Sequence, residues 1–468
     1  MKKLLTLALA LGVIPTLLQA QDPTNFATSL HGTRGGKATW YGAENGGFEA
    51  LTNIPMSELP CQHCHALTYA TGDTVDPATY EPDCKDCHDF ANQGTTVEQQ
   101  TCLGCHSRQR AEIALSQKNL LYSDVHRDRG MVCKDCHTKR EMHGDGSKYS
   151  SLRESGAMDA SCENQACHPP DSLAGVPAHD RHLETVYCTA CHVQTVSTCY
   201  SCHFETEVQA HQKRFFGPPP IGGFVFLVRR EPDGKVATAS YQALTYNGKT
   251  FYAVGVFNGH TISKEGRACT DCHNTELVQA YKSTGTIDVA KWDAAESKVR
   301  HTQGVIPIPP DWQTALQFDF VTYTGDVADP TKPLDPSKWT VLKSTPDGSQ
   351  MLFAEPLTAE QMDKLAMNVV SVNAPEEALP QDFALAQNYP NPFNPQTTIT
   401  FRIPKSTVVS LKIYDLLGTE VRSVLKHAKL GPGTYKYLVN LEDLSSGIYL
   451  YRLETPEYTA CRKMTLLK

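Results

Sequence analysis

The chain has 468 residues, which predicts two to four domains. Its formal net charge of −8 is mild for this length and argues against nucleic acid as a partner. Beyond the amino terminus, no stretch is apolar enough to span a bilayer, so we expect no transmembrane segment in the mature chain.

Residues 1–20 have the pattern of a signal peptide. Two lysines precede an apolar stretch that ends at Leu18, and the small residue Ala20 closes the segment. The apolar run is short and is interrupted by Pro15, which argues against a membrane anchor. We therefore predict export across the cytoplasmic membrane.

Between residues 61 and 273, one signature occurs eight times: two cysteines followed at once by a histidine. Seven copies have two residues between the cysteines, and the fifth copy, Cys162–His168, has four. Cys-x-x-Cys-His is the attachment signature of c-type haem. The thiols form thioethers with the porphyrin, and the histidine becomes the proximal iron ligand. In chain order, the predicted cofactor-binding residues are Cys61, Cys64, Cys84, Cys87, Cys102, Cys105, Cys133, Cys136, Cys162, Cys167, Cys188, Cys191, Cys199, Cys202, Cys269 and Cys272. The predicted proximal ligands are His65, His88, His106, His137, His168, His192, His203 and His273.

Two other interpretations of the cysteines explain less of the pattern. Paired cysteines bind zinc in many proteins, and exported proteins often contain disulfides. Neither explains why a histidine follows the second cysteine in all eight copies. The eight pairs also leave only Cys461 unused. We therefore predict eight covalently bound c-type haems, each with one iron.

The haem motifs are dense, with eight of them in the 213 residues from Cys61 to His273. Such a segment is expected to lack an ordinary side-chain core and to fold around its porphyrins. We predict a loop-rich multihaem cytochrome c domain over residues 21–370, with short α-helices. The predicted helices are 111–121, 276–283, 289–299 and one that begins with a capping box at Thr358.

Between the seventh and eighth motifs the sequence becomes rich in β-branched and aromatic residues. Asp233-Gly234 and Asn247-Gly248, two dipeptides that favour hairpin turns, separate three such segments, 224–229, 236–246 and 251–257. We predict a small three-stranded antiparallel β insert at about residues 221–260, with a packing or docking role.

Ten histidines lie outside the eight motifs, and we expect His427 to be a surface residue. Nine remain for eight irons, a supply close to the demand for distal ligands. His63 is the least secure of these, because it lies inside the first attachment loop and exposure explains it equally well. His179 and His182 share a helical face. Either they bind the irons of two adjacent haems, or one of them is a hydrogen-bond donor to an iron ligand and does not itself bind iron. The predicted distal ligands are His31, His126, His143, His179, His182, His211, His260 and His301.

The number of distal ligands decides between two functions. If every iron has two histidines, substrate has no vacant position to bind, and the protein conducts electrons. If one iron is five-coordinate, the protein is an oxidoreductase. A third interpretation, a structural adhesin with incidental haems, gives the cofactors no use.

After a predicted linker at residues 371–382, the chain changes character. Six segments between residues 383 and 468 alternate apolar and polar residues, which predicts a small β-sandwich. Val409, Leu411 and Ile413 are expected to share one buried face, and Cys461 is expected to be a buried strand thiol.

This tail resembles the type A sorting domain of the type IX secretion system. The matching segments are Asn388–Pro395, Val409–Asp415 with Gly418, Gly433–Tyr435, Ser446–Tyr451 and Lys463–Lys468. The resemblance implies passage across the outer membrane through the secretion machinery, and a place at the cell surface or outside the cell.

A second resemblance concerns the haem region. Asp124–His126, Gly130–His137 and Met142–Gly146 are similar to the central region of octahaem cytochromes, a group that includes hydroxylamine oxidoreductase-like and tetrathionate reductase-like enzymes. The hydroxylamine enzymes have a tyrosine cross-linked to the active haem, for which Tyr281 and Tyr323 are only positional candidates here. Related nitrite-reducing enzymes often have lysine in place of a proximal histidine, whereas all eight positions here are histidine.

Together these features predict a secreted octahaem cytochrome that carries electrons through stacked bis-histidine haems at the cell surface. The expected partners are other redox cytochromes or extracellular acceptors, with self-association through exposed haems as a further option. The alternative is an oxidoreductase that acts on nitrite, hydroxylamine, tetrathionate or a similar small compound at one open haem.

Overall fold

The computed structural model describes most of the chain outside its amino terminus. The described residues are 23–59, 68–76, 79–118, 123–169, 173, 175–210, 221–231, 233–326, 334–367, 382–388, 391–430 and 433–467. Several predicted features lie outside the described residues: the signal peptide, the first motif, the candidate ligands His63 and His211, and residues 371–381 of the linker. Within the described residues, no helix combines the length and apolar character needed to cross a membrane.

The chain forms two compact units, of which the first comprises residues 1–105 and 132–164. This unit consists of short helices separated by turns. Its α-helices are α1 (Leu30–Thr33), α2 (Gly36–Tyr41), α3 (Glu49–Thr52), α4 (Gln99–Cys105) and, further along the chain, α6 (Lys139–His143). Its 3-10 helices are Pro23–Thr28, Ala43–Asn45, Met56–Glu58, Cys84–Asp86 and Cys133–Asp135.

The second unit comprises residues 106–131 and 165–468. Its helices are α5 (Ser107–Lys118), α7 (Pro177–His182), α8 (Cys188–His192), α9 (Phe204–Ala210), α10 (Cys269–Cys272), α11 (Glu276–Thr284), α12 (Trp312–Ala315) and α13 (Ala359–Ala366), with 3-10 helices Arg127–Arg129 and Pro336–Lys338. Its strands before residue 370 are β1 (Val196–His203), β2 (Ile221–Arg230), β3 (Val236–Tyr246), β4 (Lys249–Val256), β5 (Ile287–Asp293), β6 (Lys298–His301), β7 (Gly304–Pro307), β8 (Leu316–Phe318), β9 (Phe320–Tyr323), β10 (Trp339–Lys343), β11 (Gly348–Leu352) and β12 (Ala354–Glu355).

The three predicted strands of the β insert exist, but they do not form a separate insert. They belong to a seven-stranded sheet of order β11-β4-β3-β1-β2-β12, with β7 beside β2. The seventh cysteine motif lies on β1, next to β3. The predicted antiparallel pairing is confirmed, because β3 pairs with both β2 and β4. The prediction of a small separate insert is wrong, because β3 is buried along most of its length, and a strand buried on both faces packs within a larger structure.

The expectation that this region lacks a side-chain core is wrong for the second unit. A continuous core of buried apolar side chains extends from Ala190 to Met362 and includes Val196, Phe226 and Tyr241. The average motif density concealed the stretch between His203 and Cys269, which has no motif and is rich in aromatic and β-branched residues. Burial of that apolar surface stabilises the sheet in the ordinary way.

The helix predictions had mixed outcomes. Helices α5, α11 and α13 confirm three of them, and α13 begins with the expected capping box between Thr358 and Gln361. The helix predicted at 289–299 is wrong, because this segment forms the hairpin of β5 and β6. Its turn is fixed by Asp293, whose carboxylate accepts hydrogen bonds from the next backbone N–H groups.

The tail is the β-sandwich that its alternating sequence predicts. Its strands are β13 (Ala384–Leu385), β14 (Gln396–Ile403), β15 (Thr407–Tyr414), β16 (Glu420–Leu430), β17 (Gly433–Asn440), β18 (Gly447–Glu454) and β19 (Thr459–Leu466). They form a sheet of order β13-β14-β17 and a sheet of order β16-β15-β18-β19. Val409, Leu411 and Ile413 are fully buried between them, as expected. His427 is exposed as expected, but Cys461 is also exposed, because it lies on β19 at the edge of its sheet.

Candidate functional site

In five of the described motifs the two cysteines lie on one helical turn. These turns are the 3-10 helices at Cys84 and Cys133 and the helices α4, α8 and α10. Residues three apart on a helical turn lie on the same face, so both sulfur atoms face the same side. In the second, fourth and eighth motifs, the histidine N–H donates to the first cysteine's carbonyl at 2.9, 3.0 and 2.9 Å, which closes the turn. This local structure fits attachment of both thiols to one flat group.

An aspartate stabilises three of these turns, a role that the sequence reasoning missed. Asp86, Asp135 and Asp271 each stand between the two cysteines and accept the N–H of the residue before the first cysteine, at 3.1, 2.7 and 2.9 Å. Satisfying this otherwise free N–H holds the start of the turn. The recurring sequence Cys-x-Asp-Cys-His was the signal for it.

Four motif histidines face a second histidine that the sequence marked as a candidate distal ligand. The ring centres are 6.1 Å apart for His88 and His143, and 6.1 Å apart for His168 and His126. They are 6.1 Å apart for His192 and His179, and 6.5 Å apart for His273 and His182. Two imidazoles on opposite sides of one metal ion have ring centres about 6 Å apart, because each nitrogen lies about 2 Å from the metal. All four separations are close to that value.

The orientation of these rings is fixed by hydrogen bonds in two of the pairs. Nδ1 of His192 and of His179 donates to the carbonyl oxygens of Ser263 and Leu173, at 3.0 and 3.3 Å. Nδ1 of His273 and of His182 donates to the carbonyls of Lys364 and Ala178, at 2.8 and 2.9 Å. A carbonyl only accepts, so Nδ1 bears the proton and Nε2 keeps its lone pair. A lone pair on Nε2 is what a metal ligand needs.

Helix α7 explains how two neighbouring histidines reach different partners. His179 and His182 lie three residues apart on it, one facing the sixth motif and the other the eighth. Pro177 at the first turn and the preceding extended Val176 fix where the helix begins. The shared helical face was visible in the sequence, but the two partners depend on the fold.

The fourth motif has a different partner for its histidine. Nδ1 of His137 donates to Oε2 of Glu141 at 2.6 Å, and this hydrogen bond raises the pKa of His137. The Glu141 side chain is 1 % exposed. The sequence reasoning missed Glu141, although its position four residues after His137, and three after the helix-capping Thr138, was a usable signal.

Two further candidate ligands lie beside buried carboxylates. Nδ1 of His126 is 3.7 Å from Asp124, whose carboxylate also accepts backbone N–H groups of His126, Arg127 and Ile262. Nδ1 of His260 is 3.6 Å from the fully buried Glu112, which also accepts the backbone N–H of His260. These carboxylates hold the segments that bear the two histidines by accepting their backbone N–H groups.

His301 is half-buried and lies against aromatic residues of the side-chain core. Its Nδ1 is 3.2 Å from the Tyr241 hydroxyl, and its ring centre is 4.9 Å from that of Tyr200. Burial lowers the pKa of His301 to about 4, so its imidazole is neutral at physiological pH. Nε2 of His301 makes no hydrogen bond to any described residue.

The seventh motif departs from the others. Its cysteines lie on strand β1, at an irregularity where Ser201 has a φ of 44°. The ring of His203 is buried and faces those of Tyr323 and Trp339, with centres 6.5 and 6.3 Å away. Its Nε2 is 3.3 Å from Glu205. The other positional candidate, Tyr281, lies elsewhere and donates to Asp311.

The remaining candidates are placed less informatively. His31 is half-buried on α1, and His106 is exposed just before α5. The widened fifth motif has its cysteines in turns, and its His168 belongs to one of the four pairs.

Several motifs lie close to one another. In the first unit, the thiols of Cys102 and Cys133 form a hydrogen bond, which raises the pKa of Cys102. In the second unit, burial and the neighbouring Cys191 raise the pKa of Cys272 to about 12. None of the fifteen described cysteines is in a disulfide, and the described residues contain no group of three or more histidines, cysteines or carboxylates placed to hold a metal ion.

The comparisons with known proteins concern the tail. Residues 387–466, 80 of the 468 residues, match the family model of the secretion system C-terminal sorting domain. No curated protein matches the chain. The sorting domain indicates export by type IX secretion, through its machinery, to the cell surface or the extracellular space.

Proposed function

We propose that this chain is a secreted cytochrome that holds eight c-type haems and conducts electrons at the cell surface. The observation that carries the proposal is the set of four histidine pairs, in each of which a motif histidine faces a second histidine at 6.1–6.5 Å. The two histidines of a pair are between 13 and 91 residues apart in sequence, and the motif histidine of each pair follows a cysteine pair suited to haem attachment.

In this proposal the chain's own residues attach the haems and orient the histidine ligands. The helical turns present two sulfur atoms on one side, and carbonyl partners on Nδ1 orient the rings of His179, His182, His192 and His273. When bound, haem iron supplies one-electron chemistry by alternating between its ferric and ferrous states. Two histidine ligands leave the iron no open position, so these residues favour electron transfer over substrate binding.

The proximity of the motifs supports conduction from one cofactor to the next. The third and fourth motifs meet at Cys102 and Cys133 in the first unit, and the sixth and eighth meet at Cys191 and Cys272 in the second. Cofactors attached at these cysteines would be neighbours. Export by the sorting domain brings the protein to extracellular acceptors or to other redox cytochromes, which are the partners we propose.

Spectroscopy of the purified, secreted protein tests this function. We expect low-spin signals from the ferric haems, and an absorption spectrum of the reduced protein that does not change when carbon monoxide is added. A haem that binds carbon monoxide contradicts conduction through fully coordinated irons.

One observation favours a second function, an oxidoreductase acting on a small nitrogen or sulfur compound. In the described part of the chain, the ring of His203 faces Tyr323 and Trp339 and not another imidazole. If no second histidine binds the iron of a haem on the seventh motif, that iron has an open position. The test is to add nitrite, hydroxylamine or tetrathionate to the protein. A high-spin signal that changes with one of them, and that is altered by Trp339→Leu, supports the second function, whereas no change contradicts it.

A further inference from the structure

The motif histidines differ in what their Nδ1 atoms contact. In the sixth and eighth motifs, Nδ1 donates to a neutral carbonyl, at Ser263 and Lys364. In the second motif, the buried Nδ1 of His88 makes no hydrogen bond to any described residue. In the fourth motif, Nδ1 of His137 donates to the carboxylate of Glu141. The chain therefore gives its proximal histidines three different electronic environments.

Glu141 is held rigidly in its place. Its Oε1 accepts the backbone N–H groups of Asp159 and Ala160, at 2.5 and 2.7 Å, and Oε2 accepts the proton of His137. Backbone N–H groups can only donate, so Oε1 of Glu141 can act only as an acceptor towards them. With both oxygen atoms accepting hydrogen bonds, the geometry fits a carboxylate and not a protonated carboxyl group, although the side chain is only 1 % exposed.

Among the described residues, no lysine or arginine forms an ion pair with Glu141. Arg140, the adjacent residue, forms ion pairs with Asp145 and Asp159, so its single positive charge is already opposed by two negative charges. The described partners of Glu141 are the imidazole of His137 and two backbone N–H groups. A buried, uncompensated charge acts strongly on its surroundings, because little solvent screens it.

We propose that Glu141 is a positioning residue that makes the haem of the fourth motif harder to reduce than the haems of the sixth and eighth motifs. This inference rests on the proposed haem-binding function. A carboxylate that accepts the Nδ1 proton increases the electron donation of the imidazole and fixes its tautomer. Ferric iron has one more positive charge than ferrous iron, so the nearby negative charge favours the ferric state. The haem of the fourth motif should therefore have a lower reduction potential than the haems of the sixth and eighth motifs.

The test is a redox titration of the full-length protein and of Glu141→Gln, followed at the haem absorption bands. Second-shell partners of metal-bound histidines typically change the properties of a site 10- to 100-fold when they are replaced. We expect Glu141→Gln to favour the ferrous state of one haem by roughly tenfold, an upward shift of about 59 mV for a one-electron couple. The other haems should titrate as in the unaltered protein.

Glu154→Gln is the matched control. The carboxylate of Glu154 also accepts backbone N–H groups, those of Ser150 and Ser151, and it has no described contact with a motif histidine. Its titration should be unchanged. Glu141→Asp keeps the negative charge, so its redox titration should be close to that of the unaltered protein. A purely structural role for Glu141 does not predict this result.

The haem content of each protein is measured first, from its intact mass. If the unaltered protein has no covalent haem, both the proposed function and this inference are overturned. If Glu141→Gln has eight haems and an unshifted titration, this inference alone is overturned. If Glu141→Gln attaches fewer haems, the redox titration of Glu141→Asp tests the inference instead. An upward shift of about 59 mV in Glu141→Asp, which keeps the negative charge, would contradict the role of that charge.

Discussion

Replacing His182 by alanine tests the pairing of histidines at a position where the structure defines both partners. His182 lies at the end of α7, and its ring centre is 6.5 Å from that of His273 in the eighth motif. If the two rings bind one iron, His182→Ala removes one axial ligand and leaves His273 in place. One haem of the proposed eight should then change from low spin to high spin and gain an open position.

The size of the spectral change follows from the number of haems, and the loss of stability follows from the contacts of His182. About one eighth of the haem absorbance should shift, and the same fraction should bind carbon monoxide after reduction. The lost hydrogen bond from His182 to the Ala178 carbonyl is exposed, so its removal costs about 1 kcal/mol or less. The protein should remain folded, and the spectral change will therefore report ligation and not unfolding.

The assay is absorption and electron paramagnetic resonance spectroscopy of the ferric protein, followed by carbon monoxide addition after reduction. His179→Ala should give the same fractional change through the sixth motif, and the double variant should give twice that change. His427→Ala is the control, because His427 is exposed in the tail. A His182→Ala spectrum identical to that of the unaltered protein would refute the pairing of His182 with His273.

Three further predictions concern stability and export. Asp124→Ala leaves three backbone N–H groups without their charged acceptor and should lower the free energy of unfolding by about 3 kcal/mol in urea denaturation, whereas the exposed neighbour Asp128→Ala should have little effect. Deletion of residues 383–468 should retain the protein in the periplasm, as measured by cell fractionation; normal surface appearance would contradict the role of the sorting domain. Tyr451→Phe removes a buried hydroxyl that donates to Ala386 and accepts from the N–H of Asn388, so it should destabilise the tail by about 2 kcal/mol, detected as faster proteolysis within it.

Much of the tail could be predicted from sequence because each of its strands has one face in the core. Val409, Leu411 and Ile413 are buried at every second position, and this period of two is a direct record of a half-buried strand. The spacing of apolar residues gave a wrong helix prediction at 289–299. There β5 is short and packs beside β8 as well as β6. Local apolar spacing there did not distinguish a helix from a strand.

The candidate site also has parts that could be predicted from the sequence and parts that could not. The attachment cysteines and their histidines could be identified from the sequence because they are adjacent in it. The partner of each motif histidine could not, since His192 and His179 meet through the packing of α7 and α8 and not through any local pattern. Glu141 lies between these cases, because its spacing from His137 is local but the burial that gives it its effect is not.

The most direct test of the account is the haem content of the secreted protein. Intact mass spectrometry, combined with the absorption spectrum of the haems in alkaline pyridine, counts covalent haems per chain. We expect eight haems, all attached through thioether bonds, including one at the widened motif Cys162–His168. A mass equal to that of the polypeptide alone, or cysteines that titrate as free thiols, would contradict it.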